Sequence, residues 1–238
     1  MIKKALEYLM ETMSPVKTQL IDGETFADRP MHRVTFNPKA EPVELNTLTS
    51  LVDYIVSDFD TRGKLFVHVV SPTCVKVFSD LDRDRVREEV LEVNALVPSF
   101  RFGQYMNSED FIIGLQSKFV ETDERALVLK FAGATKAGSV AEYSDDGVTQ
   151  KATVKTGVAS MTDAVVPNPV RLRAFRTFLE VDQPEAQYVF RMKQGGAGDV
   201  QCALFEADGG AWQIAAKEAI KTYLVSELEG IDDIVVIS

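Results

Sequence analysis

The chain has 238 residues, 45% of them hydrophobic and 9% aromatic, enough for a sizeable core, so a wholly disordered protein is excluded. Acidic residues number 36 against 26 basic ones, giving a formal charge of -10. A nonspecific grip on nucleic acid or on an anionic membrane would oppose that mean field, and only a local basic face would serve either.

Ile2, Ala5, Leu6, Leu9, Met10 and Met13 recur at helical spacing, so the chain opens with an amphipathic helix whose stripe needs a covering surface, on this chain or on another copy. Glu7 and Glu11 interrupt its apolar run and no small-residue cleavage site follows, which argues against a secretory leader. Lys17 to Ile21, the Asp22-Gly23 turn signal and MHRVTF suggest short strands. From Leu45, the residues Leu48, Leu51, Val52, Ile55 and Phe59 mark a second helix with Asn46 as its expected N-cap. KLFVHVV, TCVKVFSDL and EEVLEVNAL then form three β-rich runs, the pattern of an antiparallel meander.

Asn107 or Ser108 caps a helix carrying Phe111, Ile112, Leu115 and Phe119, with Glu109 and Asp110 complementing the dipole of its first turn. ALVLKFAG is expected as a strand, and Glu142 to Val158 as a hairpin whose tip is Asp145-Asp146-Gly147. VRLRAFRTFLEV, QYVFRM and VQCALFEA make a second meander, broken by Gln183-Pro184 and by Gly195 to Gly198. A helix with Trp212, Ala216, Ala219, Ile220, Tyr223 and Leu224 ends near Gly230, and IVVI supplies a last strand. The order predicts an α+β fold of antiparallel meanders with three to four amphipathic helices. A helix and extended arm over 1–44 would precede a compact core domain over 45–238. No run approaches the ~20 apolar residues of a membrane span.

Chemistry is harder to find. Only His32 and His68 are available as imidazole bases, and neither has a partner in sequence. Cys74 and Cys202 sit singly in apolar strands, without zinc-site spacing, and read as small core residues. Asp80, Asp82 and Asp84 alternate as in a calcium loop, but Arg83 and Arg85 stand where such a loop needs glycine and oxygen ligands. No catalytic residue, metal site or cofactor is therefore expected.

Two features remain as a candidate ligand-binding region. Arg171, Arg173, Arg176 and Arg191 concentrate positive charge against the acidic trend, with Arg171 and Arg173 expected on one strand face and Arg176 on the other. The strand-to-helix turn Asp208-Gly209-Gly210 can present backbone amides to an anion, although no lysine or hydroxyl residue completes a phosphate cradle. Phe175, Phe178, Tyr188 and Phe190 are interleaved with the arginines, as on a nucleic-acid platform or, more economically, in a core.

FVHVVSPTCVKV, PSFRFGQYMNSEDFIIGLQSKF and VPNPVRLRAFRTFLEVDQP, followed by YVFRM and LFEADGGAW, resemble a family of phage and prophage proteins typified by the prophage protein YfdQ. The likeness runs from about Leu45 to the end and carries no activity onto named residues. It implies an accessory protein of the infected bacterial cytoplasm, with assembly into a closed homo-oligomer as the leading expectation. Sequestration of an anionic ligand, a host protein or single-stranded nucleic acid is the alternative, and nucleic acid is disfavoured by the charge.

Overall fold

The computed structural model describes residues 2–21, 23–28, 39–57, 63–82, 85–136, 140–145, 150–156, 160–165, 168–194 and 200–238. The chain divides into two units, Met1–Lys39 and Ala40–Ser238.

In the first unit, helix α1 spans Ile2–Met13 and strands β1 (Thr18–Ile21) and β2 (Glu24–Ala27) pair as an antiparallel hairpin. Gly23 turns the chain at φ 86°, a left-handed conformation that favours a residue without Cβ. Phe59, His32 and the rest of MHRVTF lie outside the described residues.

The second unit begins with β3 (Val43–Leu45), so the last two residues assigned to the arm belong to the core sheet. Helix α2 (Leu48–Val56) buries Leu48, Leu51, Val52 and Ile55. Its N-cap is Thr47, whose Oγ1 accepts from Ser50 N at 3.2 Å, whereas the Asn46 amide donates to the Asn94 carbonyl at 3.0 Å. Asn46 is correctly placed in type but is drawn into the neighbouring strand, and the cap moves one residue on. Strands β4 (Leu65–Ser71), β5 (Cys74–Ser79) and β6 (Glu89–Asn94) form the expected meander.

β7 (Met106–Asn107) leads into α3 (Ser108–Lys118), capped by Asn107 Oδ1 on Asp110 N at 2.8 Å. ALVLKFAG is not a strand but part of α4 (Asp123–Lys136). Val128, Phe131 and Ala132 bury one helical face, Thr122 Oγ1 accepts from Arg125 N, and Asp123 and Glu124 favour the first turn. A short apolar run fits either period, and here the capping signals at its start decide.

β8 (Val140–Asp145), β9 (Gln150–Thr156) and β10 (Ser160–Val165) form a three-stranded antiparallel sheet; the Asp146-Gly147 tip lies outside the described residues, as does the Gly195 to Gly198 turn. The run VRLRAFRTFLEV yields only the short β11 (Val170–Leu172), and residues 173–185 follow an irregular path before β12 (Ala186–Gln194) and β13 (Val200–Glu206). α5 (Ala211–Glu227) and β14 (Ile234–Ile237) complete the chain.

Two cores result. A four-stranded sheet, β11-β12-β13-β7, packs Tyr188, Phe190 and Leu204 against Phe111, Leu115 and Phe131 of α3 and α4. A five-stranded sheet, β14-β4-β5-β6-β3, packs Val67, Val77 and Leu91 against Leu51 of α2 and Ile220 and Leu224 of α5. Both edges of that sheet are parallel pairs, β14 with β4 and β3 with β6, so a mixed sheet surrounds the antiparallel meander. The fold is α+β, with five helices among the described residues.

Candidate functional site

Residues 173–185 join the two cores. Gln183, itself buried, accepts from Arg176 N at 3.0 Å and Thr177 N at 3.3 Å and donates to the Phe178 carbonyl at 2.9 Å. Phe178 and Val181 insert into the core of the five-stranded sheet, Thr177 Oγ1 donates to the Pro72 carbonyl at 2.5 Å, and Glu180 Oε1 accepts from Leu48 N at 2.7 Å at the start of α2. On its other side the segment exchanges backbone bonds with the end of α3, Val120 N to Arg173 O and Phe175 N to Lys118 O. A segment with no repeating structure stays ordered here because its backbone groups find partners in Gln183 and at the end of α3, while Thr177 and Glu180 tie it to the Pro72 carbonyl and to Leu48 N.

The arginines do not converge. Arg171 is exposed and 3.7 Å from Glu185 Oε1. Arg173 donates through Nε to the Gln183 carbonyl at 2.7 Å and lies 3.3 Å from Asp182 Oδ1. The strand ends at Leu172, so the alternation expected for Arg173 and Arg176 does not apply. Arg171 pairs in register with Gln187, on the face of β12 that also carries Arg191, four residues and about 13 Å further along. Arg191 is half-buried, its Nη1 3.5 Å from the Phe190 carbonyl.

Arg176 is on the other face, and only 8% of it is exposed. Its Nη1 donates to Glu206 Oε1 at 2.5 Å, and its guanidinium carbon stands 3.7 Å from the Trp212 ring centroid, 5.6 Å from Tyr188 and 5.7 Å from Phe102. Nε and Nη2, together with the Tyr188 hydroxyl, are buried without a hydrogen-bond partner. The three ring faces supply the negative potential that the missing acceptors would have given the cation. Burial holds the Tyr188 phenol well above its ordinary range; the Arg176 charge opposes this, and Glu206 and Asp208 add to it.

Asp208 occupies the position expected for an anion at the start of α5. Its Oδ1 accepts from Gly210 N at 3.1 Å and its Oδ2 from Trp212 N at 3.3 Å, while Gly209 and Gly210 turn at φ 62° and 84°. Of the predicted residues, the structure therefore gathers Arg176, Asp208, Gly209 and Gly210 around Trp212 and leaves Arg171, Arg173 and Arg191 elsewhere. Phe178, Tyr188 and Phe190 are fully buried core residues. Sequence reasoning missed Glu206, Tyr188 and Phe102 as partners of Arg176, because their meeting depends on strand register and on a loop. The assembled group is a chain-internal aromatic cage closed on its own cation.

His68 faces outward on β4, edge-on to Phe78 with centroids 6.4 Å apart. Cys202 is buried and its thiol is pushed up to about 12 by desolvation; burial, then Glu92, also raises half-buried Cys74. Asp82 Oδ1 accepts from Val86 N at 2.8 Å and Asp80 Oδ1 from Leu81 N at 2.7 Å, so both act as turn acceptors.

The exposed apolar surface of the first unit is of a different kind. At 100° per residue, Ile2, Leu6, Leu9, Met10 and Met13 fall within an arc of about 100° on α1, and their exposures run from 53% to 81%. Among the described residues of this unit only Val16 is even half-buried.

No family model, curated protein or solved structure matches the chain. No described helix is long and apolar enough to cross a membrane.

Proposed function

We propose that this chain is a phage-encoded accessory protein of the bacterial cytoplasm that works by assembling with copies of itself through its N-terminal unit. The observation that carries the reading is the exposed stripe of α1. Each of its five large apolar side chains is worth roughly 1.5–3 kcal/mol when fully buried, whereas a 12-residue helix and a two-stranded hairpin are marginal in water by themselves. Homo-oligomers are the commonest assemblies that supply such a covering surface. The phage setting is supported by the segment patterns from FVHVVSPTCVKV to LFEADGGAW.

Sequestration of an anionic ligand has less support, because Arg176 is already held by Glu206 and three rings and Asp208 fills the helix start. Light scattering after size exclusion tests the assembly reading. The expected mass is an integer multiple of the 26.4 kDa chain, falling to a single chain in the double variant Leu6→Glu, Met10→Glu. A wild-type protein that runs as one chain at micromolar concentration overturns it.

A further inference from the structure

A guanidinium presents N–H donors all around its edge and has no acceptor, and the surroundings of Arg176 meet only part of that demand. Nη1 donates to Glu206 Oε1 at 2.5 Å, but Nε and Nη2 are buried without an acceptor. Each buried donor left unpaired costs free energy. What the site offers in full is π surface: the Trp212, Tyr188 and Phe102 rings stand 3.7, 5.6 and 5.7 Å from the cation. Several ring faces about one positive head are the means by which proteins hold quaternary ammonium groups. A cation of that kind has no N–H to leave unpaired.

Charge points the same way. Asp208, which accepts from Trp212 N at 3.3 Å, brings a second carboxylate to the site beside Glu206. With the arginine side chain withdrawn, the rings would be flanked by two negative charges and no positive one, a field that draws in a cation.

The Arg176 side chain is also separable from the segment that carries it. Arg176 N donates to Gln183 Oε1 at 3.0 Å, Thr177 Oγ1 donates to the Pro72 carbonyl at 2.5 Å, and Phe178 inserts into the core of the five-stranded sheet. The backbone is therefore held without the guanidinium. A way in exists on the side of Glu206, whose side chain is 43% exposed, and Phe102, Asp208 and Trp212 are only half-buried.

We infer that this aromatic cage is a binding site for a quaternary ammonium group, which Arg176 fills as a resident competitor when no ligand is bound. The inference goes beyond the assembly reading and uses no residue of the N-terminal unit. The ligand enters past Glu206, its methyl groups pack on the three rings, and Glu206 exchanges the guanidinium for the new charge. Its affinity for the wild-type chain is reduced by the fraction of molecules in which the arginine has left the cage.

Trp212 is the only tryptophan of the chain, so its fluorescence reports on the cage alone. Tetramethylammonium chloride is titrated against wild type and Arg176→Ala, with sodium chloride at equal ionic strength as reference. The alanine variant is expected to respond saturably, and its melting temperature to rise by about 5–10 °C when the ion exceeds its dissociation constant about 100-fold. Wild type is expected to bind roughly 10–100-fold more weakly. Methylguanidinium, which keeps the unpaired donors, is expected to bind the alanine variant less tightly than tetramethylammonium does. If the alanine variant is unfolded by itself, tetramethylammonium is expected to restore its circular dichroism spectrum. Choline and a peptide bearing trimethyllysine, titrated against wild type, separate a free small cation from a modified side chain as the source of the group.

Three results overturn the inference. One is the absence of any response beyond that to sodium chloride. Another is tighter binding of methylguanidinium, which would make the cage a fitting for Arg176 itself. The third is a wild type that stays silent where the alanine variant binds, since Arg176 would then be a fixed part of the fold.

Discussion

The guanidinium carbon of Arg176 stands 3.7 Å from the centroid of the Trp212 ring, a contact that fastens the irregular segment after β11 to the first turn of α5. Glu206 completes the fastening at 2.5 Å from Nη1, but the two partners are unequally placed, the arginine side chain being 10% exposed and the glutamate 43%.

That inequality predicts an asymmetry in stability. Glu206→Ala leaves a buried cation with one less counter-charge and is expected to cost about 3 kcal/mol. Arg176→Met removes the two unpaired nitrogens and leaves a carboxylate that water can reach, so its cost is expected to be about 1 kcal/mol or less. Urea unfolding of the two variants against wild type measures both, and equal costs would contradict the cage geometry.

Gly114 predicts a loss where helix propensity alone predicts a gain. A Cβ there would come 2.9 Å from Phe100 Cε2 and 3.2 Å from Cδ2. The Phe100 ring packs edge-on against Phe111 and Phe119 and tilted against Phe102, which leaves it little room to yield. Overpacking costs about 1–3 kcal/mol against a propensity gain of about 1 kcal/mol. Gly114→Ala is therefore expected to lower the melting temperature, by about 2–4 °C for each kcal/mol of net loss.

At the start of α5, Asp208→Ala removes the acceptor for Gly210 N and Trp212 N and is expected to cost about 1 kcal/mol. Gly210→Ala forces a Cβ into φ 84° at a cost of about 1–2 kcal/mol. Asn in place of Gly209 is expected to be tolerated better than Val, since Asn adopts the left-handed region readily. Thermal melts of the four variants decide this.

Alkaline pH provides a fourth test. The folded Cys202 thiol titrates near 12, above the ordinary thiol value, because burial disfavours the thiolate. Its contribution is fully present below the unfolded pKa, about 8.5, and is lost as pH rises toward the folded value. The slope is on the order of 1 kcal/mol per pH unit. Tyr188, also raised chiefly by burial, adds a loss of the same sign from about pH 10 upward. Between about pH 9 and 10, unfolding free energy is expected to fall more steeply in wild type than in Cys202→Ala; equal slopes would show that the thiol is not the group responsible.

Amphipathic periodicity and capping were enough to place α1, α2, α3 and α5, and alternation with β-branched residues placed β4, β5, β6, β12 and β13, because those signals are local and each implies its own buried face. ALVLKFAG failed the same test, since eight residues carry no distinguishing period and Thr122 with Asp123 and Glu124 lay outside the run. The amino-acid sequence also determined the acidic charge and the exposed stripe waiting at the N-terminus. Only the tertiary structure decided that β3 and β14 pair in parallel at the sheet edges, that Gln183 organises residues 173–185, and that Arg176 meets Trp212, Tyr188 and Glu206 while Arg171, Arg173 and Arg191 turn elsewhere. Those outcomes depend on register and on the packing of segments far apart in the chain, which no local pattern of residues encodes.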